Sequence, residues 1–282
     1  MATAKKQPQQ KATGTAVANW EEELAKAAEE SMKQEANVGG GKFFGLKAGV
    51  LTYDGEPVVG NRMACVIVDS VLENVYYDGD YEPDTPQTPM CYAFGRDEAT
   101  MTPHQKVWDK QNQQCGASKL CQGCQWNEYG TANKGKGKAC RNTRRLAIIP
   151  AGSFDKKGEL TLIEDVDHFE TTQLAFMKLP VTSTRGFAAY VKQIGAVLKR
   201  PPFAMITEIS VVPDAKSQFK VQFEAIGPAP DELIGTLIKR NKEAAGVIEF
   251  PYGDAAEEEE KPKAKSKAAQ KPAPAKAARR KY

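Results

Sequence analysis

Long apolar runs are missing from this 282-residue chain, and no stretch reaches the length of about 18 residues that a membrane-spanning helix needs. Met1 to Pro8 carries charge but is followed by no apolar stretch, so a secretory leader is not expected and a cytoplasmic protein is. Histidine is scarce: His104 and His168 lie far apart in sequence. The acids Asp78, Asp80, Glu82 and Asp84 fall in a proline-rich loop, and neither set clusters as a catalytic centre would. The G-x4-G-K-[ST] spacing of a nucleotide-binding phosphate loop is absent. So is the combination of His-x-Glu with Pro-Cys-x-x-Cys that marks zinc deaminases. These absences favour a binding protein over an enzyme.

Negative charge is missing from two segments. Nine of the 39 Lys and Arg, and none of the 36 acids, lie in Lys261–Tyr282. The remainder then holds 30 basic and 36 acidic residues, a net charge of −6, so any anion site on the body must be local. The second segment runs from Tyr129 to Phe154 and contains Lys134, Lys136, Lys138, Arg141, Arg144 and Arg145. Gly130, Gly135 and Gly137 lie in the same stretch, where backbone N–H groups can approach phosphates closely. Tyr92, Phe94, Trp108, Trp126 and Tyr129 flank it. Aromatic rings beside a basic groove suit single strands, because bases stack on rings while cations follow the backbone. A mini-core under the loop would claim at least one of the tryptophans.

The six cysteines are spaced unevenly. In a cytosolic chain, clustered cysteines point to metal or catalysis and not to disulfides. Cys121-Gln-Gly-Cys124 has the C-x2-C spacing that lets two thiolates face one tetrahedral ion, and Cys140 follows 16 residues later. Three residues compete for the fourth position: Cys91, Cys115 and His104. Cys91 is preferred because it opens the strand-like Cys-Tyr-Ala-Phe, and Cys115 comes second. Cys65 sits in an apolar run and reads as a core thiol. Cys121 follows a loop and not a strand-to-helix turn, which disfavours a redox pair. Four thiolates leave no open coordination position, so the expected role of zinc is structural.

Residues 1–40 read as a disordered arm with a short helix around Trp20, and 253–282 as a disordered charged tail. Between them, 41–252 read as one β-rich α+β domain. Strands are expected at Phe43–Tyr53, Met63–Val68, Leu72–Tyr77, Leu146–Pro150, Leu160–Val166, Leu174–Leu179, Met205–Val212 and Phe219–Ala225. Helices are expected at Thr184–Leu198 and Asp231–Ala245. The stretch from Cys91 to Cys140 is too long for an unsupported loop in a compact domain, and zinc is its expected staple. An OB-like barrel fits this order.

Several motifs carry a resemblance. Gly41-Lys42-Phe43-Phe44, Cys91-Tyr-Ala-Phe-Gly-Arg, Cys121-Gln-Gly-Cys124 with Asn127-Glu-Tyr-Gly, the Gly-Lys-Gly-Lys-Ala-Cys140-Arg-Asn-Thr-Arg-Arg-Leu run and Lys178-Leu-Pro-Val-Thr-Ser are similar to those of a tailed-phage protein family. Most of its members are uncharacterised, and they are suspected to be zinc-containing single-stranded DNA-binding proteins of replication modules. The resemblance spans about residues 18–252. It implies Cys91, Cys121, Cys124 and Cys140 as the zinc set, with Cys115 outside it, and a host-cytoplasmic location. Single-stranded DNA is the expected ligand, and replication proteins are possible partners. The alternative is a zinc-stapled scaffold that binds a replication or transcription partner.

Overall fold

A computed structural model of the chain describes residues 42–79, 87–107 and 119–252. The expected arm and tail, Trp108, Cys115 and the acids at positions 80, 82 and 84 lie outside the described residues. Within them the protein is a mixed α+β structure dominated by one ten-stranded sheet.

The chain enters the sheet through two hairpins. β1 (Lys42–Lys47) and β2 (Val50–Tyr53) pair antiparallel across Ala48-Gly49, and β2 pairs with β3 (Glu56–Pro57) across Asp54-Gly55. All four turn residues have positive φ, the backbone that lets a two-residue turn match the twist of its strands. The single strand expected from Phe43 to Tyr53 is therefore a hairpin, turned by Ala48-Gly49 at positive φ.

β4 (Arg62–Tyr76) joins the two apolar runs expected to be separate. The polar pair Asp69-Ser70 is absorbed at a bulge between Ile67 and Asp69, and Arg96 holds the Asp69 carboxylate at 2.6 and 2.8 Å. β5 (Cys91–Gly95) and β6 (Arg141–Phe154) flank β4, and β7 (Leu160–Leu162) pairs with β6. Helix α1 (Val166–Thr171) begins where a strand was expected to end, capped by the Asp165 carboxylate on the Asp167 N–H. β8 (Ala175–Leu179), α2 (Val181–Val197), β9 (Met205–Asp214), β10 (Gln218–Pro228) and α3 (Asp231–Val247) follow. The main path is β10-β9-β4-β6-β8-β1-β2-β3, antiparallel except for β1 beside β8.

Each face of the sheet has its own core. On one, α2 lays Phe187, Tyr190 and Ile194 onto Met63, Cys65, Ile67, Leu146 and Met177. On the other, α3 lays Leu233, Leu237 and Ala244 onto Val66, Val71, Ile149 and Phe176, with Phe169 of α1. The sheet curls enough that Gly49 lies against Phe219 of β10. It is nevertheless not closed: the path ends at β10 and β3, so the expected OB-like barrel is not confirmed. Helix α2 fills the concave side where a barrel would need facing strands. Among the described residues, no helix is long and apolar enough to cross a membrane.

The β6–β7 pairing depends on Gly152. A Cβ there would lie 2.5 Å from the Thr161 carbonyl oxygen, which is backbone and cannot swing aside. Gly152→Ala is expected to lower stability by about 1–3 kcal/mol in urea denaturation, the usual cost of overpacking. An unchanged midpoint would mean that β7 shifts freely.

Candidate metal centre and nucleic-acid interface

Sheet register brings the cysteines together. Cys91 opens β5 opposite Tyr76, and Arg141 opens β6 opposite Val75. Since β5 and β6 lie on either side of β4, Cys91 and Cys140 arrive on either side of the end of that strand. The knuckle is pinned from outside: the Cys121 N–H donates to the Met101 carbonyl at 2.8 Å, and the Asn127 amide donates to the Cys121 carbonyl at 2.9 Å. The Cys140 N–H donates to the Trp126 carbonyl at 2.7 Å, which draws the end of the loop back to its start. Trp126 in turn stacks on Tyr76, with centroids 4.9 Å apart and planes 10° from parallel. All four expected cysteines line one cavity of about 20 Å³, enough for a single water-sized particle.

Cys91 is disulfide-bonded, whereas Cys65, Cys121, Cys124 and Cys140 are free thiols. No group of three or more His, Cys, Asp or Glu among the described residues is arranged to hold an ion. The donor chemistry nonetheless suits a thiophilic cation once Cys91 is reduced. Four cysteines line the cavity and no carboxylate does.

Burial pushes the Cys121 thiol up to about 11; the Asn74 amide pulls it back and Cys124 pushes it further. Burial also pushes Cys140 up to about 12, helped by Cys121 and Cys124 and opposed by Lys138 and the Val75 backbone N–H. Without a cation these groups stay protonated at neutral pH. Cys65 lies buried in the α2-side core, where burial raises its thiol, in keeping with a core role.

From Cys124 to Cys140 the chain forms a self-bonded loop. The Gly130 and Ala132 N–H groups both donate to the Gly137 carbonyl, and the Ala139 N–H donates to the Thr131 hydroxyl. Tyr129, 80% exposed, lies under the Lys138 ammonium at 5.1 Å, and Lys138 also donates to the Asn127 side-chain oxygen. Lys134 and Lys136 are exposed on the same loop, and exposed Arg141 lies 5.9 Å from the Tyr77 ring.

The rest of the basic run parts company at Arg141, where β6 begins. Strand alternation sends Arg141, Thr143 and Arg145 to one face and Asn142 and Arg144 to the other. Half-buried Arg144 lies 5.4 Å from the Phe187 ring of α2, and its pKa is lowered by desolvation. Arg145 is only 5% exposed. Its guanidinium pairs with the fully buried Glu73 at 2.7 Å, donates to the Ile248 and Phe250 carbonyls, and lies over the Phe94 and Phe250 rings. The Tyr252 hydroxyl donates to the same Glu73 oxygen at 2.5 Å and accepts from Lys178 at 2.6 Å. Burial, then the Glu73 charge, raises the Tyr252 pKa. Arg145 is thus expended on holding the segment after α3 against the sheet, and it offers no free face to a phosphate.

The expected stackers divide in the same way. Tyr92 is buried against His104 and Tyr252, and Phe94 is covered on one side by Arg145. Trp126 belongs to the cysteine pocket, so of the four only Tyr129 presents an open ring. His104 does not line the cavity: it stacks on Tyr92, and its Nδ1 accepts the Lys106 N–H at 3.2 Å. Burial lowers its pKa, with Glu249 and Lys106 acting in opposite directions. His168 bridges the Pro150 carbonyl and the Thr172 hydroxyl. The sequence signal for the buried pair was a glutamate and an asparagine, Glu73-Asn74, within an otherwise apolar strand, where neither belongs without a partner.

Comparisons with protein-family models, with curated proteins and with solved structures returned no match.

Proposed function

We propose that this protein binds single-stranded DNA through a loop stapled by zinc, without catalysis, as part of a phage replication or recombination module. The observation that carries the reading is the loop between Cys124 and Cys140. It is closed at its base by the cysteine pocket and exposes Tyr129, Lys134, Lys136 and, at its exit, Arg141, with no acid in its sequence from Tyr129 onward. Reduced Cys91, with Cys121, Cys124 and Cys140, would hold the ion, which would supply rigidity and leave no position open for chemistry. The curled sheet provides a rigid base in place of the expected barrel. The motif resemblance to suspected phage DNA-binding proteins supports the same reading.

The test is titration of fluorescein-labelled oligo-dT with the reduced, zinc-loaded chain. Binding is expected to be sequence-tolerant. If Lys134, Lys136, Lys138 and Arg141 each meet one phosphate, the slope of log affinity against log salt is expected to be about −3, at about −0.7 per contact on a single strand. Absence of binding at about 50 mM salt, where such contacts are strongest, would sink the proposal.

A further inference from the structure

Two residues that line the cysteine cavity carry buried N–H groups with no close, well-aligned partner: Asn74 at Nδ2, whose amide nevertheless acts on the Cys121 thiol, and Trp126 at Nε1. Asn74 is 4% exposed and lies near the end of β4, the central strand at this point. Its amide is also oriented. The Asn142 side chain, directly opposite on β6, donates to Asn74 Oδ1 at 2.6 Å, which leaves Nδ2 as the end that can face the Cys121 sulfur. Trp126 is held by its stack on Tyr76 and by the bond from the Cys140 N–H to its carbonyl. Both residues line the cavity with Cys91, Cys121, Cys124 and Cys140.

Buried donors without acceptors are uncommon, and each calls for a reason. A neutral thiol is a weak acceptor, but a metal-bound thiolate is a strong one, and a hydrogen bond to a charged acceptor is worth about twice a neutral one. We infer that Asn74 and Trp126 are positioning residues of the metal centre, donating N–H···S hydrogen bonds to its thiolates. The inference rests on the metal reading above and goes beyond it by naming what surrounds the ligands. Groups around a metal's ligands fix ligand orientation and tune affinity, and losing one typically costs about 10- to 100-fold in binding.

The experiment is cobalt(II) titration of the full, reduced chain, followed by zinc competition, for wild type, Asn74→Ala, Asn142→Ala and Trp126→Phe. Trp126→Phe keeps a ring to stack on Tyr76 and removes only the N–H. Wild type is expected to show the intense thiolate-to-cobalt absorption of a tetrahedral thiolate site. Asn74→Ala is expected to weaken binding by about 10- to 100-fold and to shift that band. Trp126→Phe should shift the band, and Asn142→Ala should weaken binding less than Asn74→Ala. Circular dichroism identifies any variant that has unfolded; in that case the milder Trp126→Phe and Asn142→Ala decide. No thiolate–cobalt band in wild type would overturn the metal reading itself. A normal band in wild type, with band position and affinity unchanged in the folded variants, would overturn only the role given to Asn74 and Trp126.

Discussion

Replacing Arg145 by alanine is expected to lower stability by about 3–5 kcal/mol, because it leaves the buried Glu73 carboxylate without its ion-pair partner. Thr143 and Tyr252 would still donate to Glu73, but neither carries charge. The same change also frees the segment after α3, since Arg145 donates to the carbonyls of Ile248 and Phe250. Arg141, four residues earlier and exposed, supplies the contrast: Arg141→Ala is expected to change stability by no more than about 0.5 kcal/mol while weakening DNA binding. Urea denaturation of both variants, with oligo-dT titration alongside, separates the roles. Replacing the pair together, as Glu73→Leu with Arg145→Met, is expected to recover most of the loss, since an apolar pair needs no charge compensation. An Arg145→Ala protein of normal stability that had lost DNA binding would show the guanidinium to act at the surface instead.

Removing zinc from the reduced, loaded protein is expected to weaken oligo-dT binding by at least about tenfold, or 1.4 kcal/mol. The loop bonds among Gly130, Thr131, Gly137 and Ala139 are short-range and cover no apolar core, so without the staple they are too weak to hold Lys134, Lys136 and Tyr129 in place. The sheet should survive, because its two cores are built from β4, β6, β8 and the helices and do not include the cysteine loop. Far-UV circular dichroism should therefore change little while DNA affinity falls. Zinc affinity itself should rise with pH. Cys121 and Cys140, raised to about 11 and about 12, are protonated in the free protein between about pH 6 and pH 8, and each must lose its proton to bind. Those two protons alone would tighten zinc binding by about 100-fold per pH unit. A zinc affinity flat across that range would show that these two thiols are not ligands.

Much of the fold was legible where pattern and period agreed. The helix expected from Thr184 to Leu198 is α2, and its stripe of Phe187, Tyr190 and Ile194 is the stripe that packs. Asp54-Gly55 made the turn it announced. The failures fall where local chemistry gave no warning. Ala48-Gly49 turns the chain without a conspicuous breaker, and Asp69-Ser70 resembled a break but is a bulge in a continuous strand.

Spacing in the chain is enough to group Cys121, Cys124 and Cys140, because thiol chemistry and the C-x2-C interval are local properties, but it leaves Cys91, Cys115 and His104 competing for the fourth place. It also marks Lys134, Lys136, Lys138 and Arg141 as a basic stretch free of acids. Only the tertiary structure could decide that the four cysteines share a cavity, since that depends on β5 and β6 pairing on opposite sides of β4 in a particular register. The same register decided that Arg145 faces Glu73 while Arg141 faces solvent. Charge is written in the sequence, but burial is not: whether an arginine meets a phosphate or a buried carboxylate is set by where along the strand it lies and by what has packed there.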